Sequence, residues 1–180
     1  MGWHLRERIE NDEMRQAYQE TLIELMRKDP HVVMLDADLG SSSGSTKTFK
    51  QFPDQCVNMG ISEANMISAG AAMSLTGLTP FAHSFAPFAT RRVLDQIYMS
   101  LAYSANSLHI YGSEPGYWAQ FNGGTHTSIE DIAILNALPN LIITAPADTV
   151  SPLDTESLLF PEGSVLHPGC PQEFATDLYG

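Results

Sequence analysis

Residues 29–40 read Asp29-Pro30-His31-Val32-Val33-Met34-Leu35-Asp36-Ala37-Asp38-Leu39-Gly40. Val32 to Leu35 is a short, unbroken apolar run with no polar alternation. Such a run fits a strand covered on both faces, as parallel strands are. Carboxylates, Asp36 and Asp38, follow it at once, so chemistry is expected at the C-terminal end of this strand. On its N-terminal side, Met14, Ala17, Tyr18, Leu22, Leu25 and Met26 recur at helical spacing. Asp12 is read as the N-cap of that helix, and Asp29-Pro30 ends it.

Further along, helix and strand patterns alternate. Ser41 to Lys50 is polar, rich in Gly and Ser, and reads as loop. Cys56 to Met59 reads as a second strand, and Ser62 is placed to cap a helix running through Met66, Ala69, Ala72, Met73 and Leu75. Phe81-Ala82-His83 is a third strand, Val93, Ile97 and Leu101 mark a helix face, and Leu108 to Tyr111 is a fourth strand. A loop of glycines and aromatics spans Gly112 to Thr125. Ile129 to Leu135 is a short helix stopping at Leu138-Pro139, and Leu141 to Thr144 is a further strand. From about Phe160, Pro161, Pro168 and Pro171 interrupt the chain, and no strand or helix pattern continues. The order implies a three-layer α/β/α domain around a mostly parallel sheet. Ligands of such sheets sit at the C-terminal strand ends, here Asp36 to Ser43, Gly60 to Asn65, His83 to Phe88 and Gly112 to His126.

The 180 residues suffice for one domain with a real core, and 43% hydrophobic against 17% charged residues is a globular balance. A net charge of −12 disfavours nucleic acid and anionic membranes as partners. No apolar run approaches the roughly 18 residues that span a bilayer. The charged N-terminus does not read as a secretory signal, so a cytoplasmic location is expected. Cys56 and Cys170 lack ligand spacing and are expected as free thiols. The six histidines form no pair at zinc-binding spacing.

Several motifs stand together in register. Leu35-Asp36-Ala37-Asp38-Leu39 resembles the Asp-Ala-Asp-Leu segment of transketolases. Asn58-Met59-Gly60-Ile61-Ser62-Glu63-Ala64-Asn65-Met66 is similar to that family's Asn-x-Gly-Ile-x-Glu-x-Asn-Met stretch. Ser84-Phe85-Ala86-Pro87-Phe88 resembles its Thr-Phe-x-x-Phe, and Asn122-Gly123-Gly124-Thr125-His126 its Asp-Gly-x-Thr-His. Glu130-Asp131-Ile132-Ala133 and Pro139-Asn140 through Pro146-Ala147-Asp148 complete a match running from about Met14 to Asp148.

The resemblance implies the pyrimidine-binding section, also called the C-terminal section, of a split transketolase, with the pyrimidine-domain type of thiamine diphosphate-binding fold. By it, residues 1–12 are an N-terminal extension, 13–160 the pyrimidine-binding domain and 161–180 a divergent or truncated tail. Two-carbon ketol units would pass from a ketose to an aldose, in carbohydrate metabolism of the pentose phosphate type. The family's magnesium-diphosphate motif, Gly-Asp-Gly with a downstream Asn, is not found. Thiamine diphosphate and its Mg2+ or Ca2+ would then be held mainly by a partner chain, the N-terminal section, in a two-plus-two assembly.

The same resemblance assigns residues. Glu63 would be the carboxyl group beside the far ring nitrogen of the aminopyrimidine, partly buried and able to act as an acid near neutrality. Phe88 and Phe85 would stack against the ring, with Asp38 and Ile61 nearby. His126 would face the cofactor's amino group and the substrate, where an imidazole can pass protons. Arg15 and Ser42 would hold the sugar phosphate, and Asn122, in place of the usual Asp, a donor-sugar hydroxyl.

There are departures. The family has a His where Glu114 stands, and a carboxylate would repel a phosphate there. Gln120-Phe121 replaces the usual Gly-Glu. The family's last strand, of Gly-Pro-x-Tyr-x-Arg type, is not found in Ser164 to Gly180. Other readings are a deoxyxylulose-phosphate synthase, the β subunit of a 2-oxoacid dehydrogenase, or a non-catalytic partner module. Gly40-Ser41-Ser42-Ser43-Gly44 also fits the Gly-x-Ser-x-Gly elbow of serine hydrolases, but a polar segment follows where an elbow leads into an apolar helix.

Overall fold

The computed structural model describes residues 13–145 and 164–166. Helix α1 (Met14–Lys28) precedes strand β1 (Val32–Asp36), whose five residues are all buried. Then come α2 (Thr46–Gln51), β2 (Cys56–Asn58), α3 (Glu63–Ser74), β3 (Thr79–Phe85), α4 (Ala86–Ala89) and α5 (Leu94–Gln96). The last of these runs on as a π-helical segment, Ile97–Ala102. Strand β4 (His109–Ser113), α6 (Asp131–Leu135), β5 (Ile142–Thr144) and β6 (Ser164–Leu166) complete the order.

The six strands form one sheet in the order β2-β1-β3-β4-β6-β5, and every pairing is parallel. Successive side chains of a strand point to opposite faces, and this divides the core in two. Leu35, Ala82 and Ile110 face one way, against Met66 and Ile67 of α3 and Val93, Ile97 and Leu101 beyond it. Met34, Phe81 and Tyr111 face the other, against Tyr18, Leu22, Leu25 and Met26 of α1. Helices therefore cover both faces, and the three-layer expectation holds. The chain order reverses between β1 and β3, which puts the topological switch point beside Asp36.

Several local expectations change. The segment from Ser41 to Lys50 is only partly loop, because Thr46–Gln51 is helical. Its polar surface faces solvent, while Thr48 is buried and donates to Gln19 Oε1 of α1 at 2.6 Å. A short helix that turns in only Thr48 and Phe49 leaves no apolar stripe to read. Glu13, not Asp12, occupies the N-cap of α1; Asp12 lies outside the described residues. Ser62 does precede α3, but its side chain makes no capping bond. Strand β6 lies between β4 and β5, where no strand pattern was legible. Pro161, Gly163 and Pro168 around it read as breakers, while pairing to strands on both sides holds it by backbone hydrogen bonds. Pro146 to Asp148, the tail beyond Leu166 and Cys170 lie outside the described residues. Cys56 is a free, buried thiol, pushed up to about 11 by burial and by the nearby Asp36. Among the described residues, no helix is long and apolar enough to cross a membrane.

One core group ties stability to pH. His109 stacks on Phe81 with ring centroids 4.3 Å apart, and burial lowers its pKa from 6.5 to about 4. The folded chain keeps this ring neutral while the unfolded chain protonates it near 6.5. Its contribution is therefore intact above pH 6.5 and is lost as pH falls from there toward 4. Asp36, held low when folded, acts only at more acid pH. Urea unfolding at pH 7 and pH 5 should show a loss of roughly 2 kcal/mol from this residue, and His109→Phe should remove most of that slope.

Candidate functional site

Glu63 opens α3 at the C-terminal edge of the sheet and is only 4% exposed. A helix N-terminus favours a carboxylate, but a buried one also needs donors. Arg92 supplies one, Nη1 to Glu63 Oε1 at 2.8 Å, and the Ser84 hydroxyl gives a longer contact to the same oxygen at 3.3 Å. Ser84 is the penultimate residue of β3, so the strand end and the helix start are joined through this carboxylate.

An aromatic cluster adjoins it. Phe85 and Phe88 meet at 77° with centroids 6.0 Å apart, and His126 stands 5.6 Å from Phe85 and 5.0 Å from Phe88. The guanidinium carbon of Arg92 lies 3.7 Å from the centre of the Phe88 ring. Gly112 permits this placement, since a Cβ there would come within 3.1 Å of the Ala86 backbone, in the turn that carries Phe88. The site therefore offers an aromatic face and a buried hydrogen-bonding edge, and a flat cation already meets both. That is the donor set and shape an aminopyrimidine requires.

The loop bearing His126 is fixed by Arg91. Its guanidinium reaches Glu130 Oε1 at 2.6 Å and the carbonyls of Thr125 at 3.1 Å, Thr127 at 3.2 Å and Gly124 at 3.4 Å. Hydrogen bonding to Arg91 holds the Glu130 carboxyl below its ordinary value. Within the loop, Thr125 Oγ1 pairs with His126 Nδ1 at 2.9 Å.

The remaining sequence-chosen residues fall into two groups. Asp38, at a left-handed φ of 65°, accepts from Asn58 Nδ2 at 2.9 Å, and Asn58 Oδ1 accepts from the Gly60 amide at 2.9 Å. One Asn amide thus ties the β1 loop to the loop entering α3. Ile61, on that second loop, is 79% exposed. Arg15 and Ser42 do come together, with Arg15 Nη1 donating to the Ser42 carbonyl at 3.0 Å. The contact uses the Ser42 backbone, and Arg15 also pairs with Glu13. Asn122 is exposed, in the short 3-10 turn before the His126 loop.

Beneath Arg15 lies a buried polar row across the sheet, Asp36, His83 and Tyr111, with Tyr18 stacked on Tyr111 at 4.0 Å. Burial works against ionising Asp36. The His83 ring 3.8 Å away, the Leu39 amide and the Ser45 hydroxyl outweigh it and hold the carboxyl low. Ser43 and Ser45 are drawn in to Asp36, which shapes the loop presenting Ser42. Among the described residues no hydrogen bond joins a histidine to Ser42, and the elbow reading finds no support. Burial raises the Tyr111 phenol, with the Arg15 charge lowering it and Glu114 raising it further, so both charges bear on one group.

Sequence reasoning missed Arg91, Arg92 and Ser84. The available signal was a pair of adjacent arginines directly after the aromatic motif, in a chain with no later Arg.

Residues 11–154 match the family model for the transketolase pyrimidine-binding domain. A 6-deoxy-6-sulfo-D-fructose transketolase subunit of Clostridium sp. is 39% identical over 142 residues, covering 79% of this chain and 44% of that relative. An apulose-4-phosphate transketolase subunit of Phocaeicola vulgatus is 34% identical over 134 residues, covering 74% and 43%. A solved structure described as a split gene transketolase, inactive beta4 tetramer, superposes with a TM-score of 0.75 at 34% identity, covering 88% of this chain and 53% of that one. The chain thus spans less than half the length of the two curated relatives.

Replacing Arg91 by Ala should release the His126 loop. Amide exchange at His126 and Ser128, which bond the Gly123 and Gly116 carbonyls, should quicken by roughly tenfold or more, and Arg91→Lys should restore only part of the protection.

Proposed function

Because the chain belongs to the transketolase pyrimidine-binding domain family, we propose that it is the pyrimidine-binding half of a two-chain transketolase. With a partner chain carrying the diphosphate site, it transfers a two-carbon ketol unit from a ketose to an aldose. The observation that carries this reading is Glu63, a buried carboxylate at the start of α3 facing the Phe85, Phe88 and His126 cluster. When bound, thiamine diphosphate supplies the carbon nucleophile and the electron sink. Glu63 holds the far edge of the pyrimidine ring and exchanges a proton at Oε1. Phe88 gives the ring a flat apolar seat, and Phe85, edge-on to Phe88 at 77°, helps to keep water away. Thr125 engages Nδ1 of His126, so proton transfer at His126 falls to Nε2. Asp38 and Ile61 flank the cofactor from the two linked loops. Mg2+ or Ca2+ comes with the partner; among the described residues no cluster of His, Cys, Asp or Glu is grouped to hold a metal ion.

The split-gene relative, described as a beta4 tetramer, supports self-association of such chains. We extend this to the present chain, as pairs within a two-plus-two assembly in the cytoplasm. Arg15, Ser42 and Asn122 would bind the sugar. Glu114 sits half-buried near the same phenol as Arg15, which sets a negative charge against the positive one. We take this to mean that the far end of the sugar is not a dianionic phosphate. The Clostridium relative, named for a sulfo-sugar, is consistent with such a departure.

Two measurements test the reading. In the chain reconstituted with its partner, Glu63→Ala should cut ketol transfer by about 100-fold or more while both chains still assemble. Unchanged turnover would leave only a non-catalytic partner module. Phosphorylated and unphosphorylated forms of one ketose should give kcat/KM values within a few fold, and strict dependence on the phosphate would overturn the substrate assignment.

A further inference from the structure

We infer that Arg92 is a place-holder for the cofactor's pyrimidine ring. In the cofactor-free chain its guanidinium fills the seat between Glu63 and Phe88, and it withdraws from Glu63 when the ring is bound. This rests on the reading of Glu63 and Phe88 given above.

The geometry is that of an occupied seat. Arg92 Cζ is 3.7 Å from the Phe88 centroid, ordinary van der Waals contact, so nothing as thick as an aromatic ring fits between them. At the same time Nη1 bonds Glu63 Oε1 at 2.8 Å. A face on an aromatic plate and an edge on a carboxylate are the two contacts the pyrimidine needs. Both are taken by a flat cation of similar thickness.

A physical reason exists for filling the seat. Glu63 is 4% exposed, and a buried carboxylate without a partner is strongly destabilising. Arg92 supplies the missing charge until a ring arrives. Its side chain is 44% exposed, so a path into solvent is open to it once a ring takes its place on Glu63. The neighbouring Arg91 contrasts with it, since four hydrogen bonds fix its guanidinium to the His126 loop. Among the described residues, Arg91 is therefore built in, and Arg92 is held only by Glu63 and Phe88, the groups that would receive the cofactor. While Arg92 lies on Phe88 and bonds Glu63, a ring cannot meet both groups at once.

The test uses the chain assembled with its partner and titrates thiamine diphosphate with Mg2+ by calorimetry. Occupancy of the seat lowers the apparent affinity by the fraction of molecules left open. Arg92→Leu should therefore tighten binding by about tenfold, and Glu63→Gln should weaken it. A crystal structure of the loaded, unsubstituted assembly should show Arg92 out of hydrogen-bonding reach of Glu63. If Arg92→Leu fails to assemble, that structure and the affinity of Arg92→Lys decide, with no loss expected for the lysine variant. Weaker binding in the Arg92 variants, with Arg92 still on Glu63 in the loaded structure, overturns the place-holder alone. Unchanged affinity in Glu63→Gln overturns the assignment of the site, and the place-holder with it.

Discussion

A carboxylate taken out of water at the edge of a sheet has to be answered by charge and by hydrogen bonds. Glu63 imposes that requirement on everything around it. Its oxygen joins the first residue of α3 to Ser84 near the end of β3 and to Arg92 beyond α4. Arg92 in turn lies on Phe88, which stands beside Phe85 and His126. The three segments that build the site are thus held to one buried oxygen atom.

A second polar centre organises the loop that follows β1. Asp36 ends β1 in the row shared with His83 and Tyr111, and it draws Ser43 and Ser45 inward. The loop between them presents the Ser42 carbonyl to Arg15 on α1. The two centres use opposite faces of the sheet. Asp36, His83 and Tyr111 lie on the α1 side, and Ser84 with Glu63 on the α3 side. Alternation along β3 separates them, since His83 and Ser84 are consecutive. The two centres can therefore vary independently, and the departures at Glu114 and Asn122 leave the Glu63 motif untouched.

Legibility in the sequence followed the length and burial of each element. β1 was plain because it is an unbroken apolar run, and α1 because its stripe repeats over several turns. The helix at Thr46–Gln51 was hidden, as it turns in only Thr48 and Phe49, too few inward residues to show a helical period. β6 was hidden because its three residues lie among Pro161, Gly163 and Pro168, which read as breakers. In the site, Glu63, Phe85, Phe88 and His126 were named from motifs and do come together. Arg91 and Arg92 were not named, because their partners lie roughly 30 to 40 residues away in the chain.

The sequence by itself determined the α/β order, the two-sided burial of the central strands, and a row of motifs that identifies a family. Those are properties of local spacing and residue type, which survive without knowledge of what touches what. Only the tertiary structure decided which charge answers Glu63, that four hydrogen bonds hold Arg91 while one side-chain bond holds Arg92, and that Arg15 meets Ser42 through its backbone. Each of these depends on side chains from distant segments meeting in three dimensions, where burial makes an unpaired charge costly and so selects its partner.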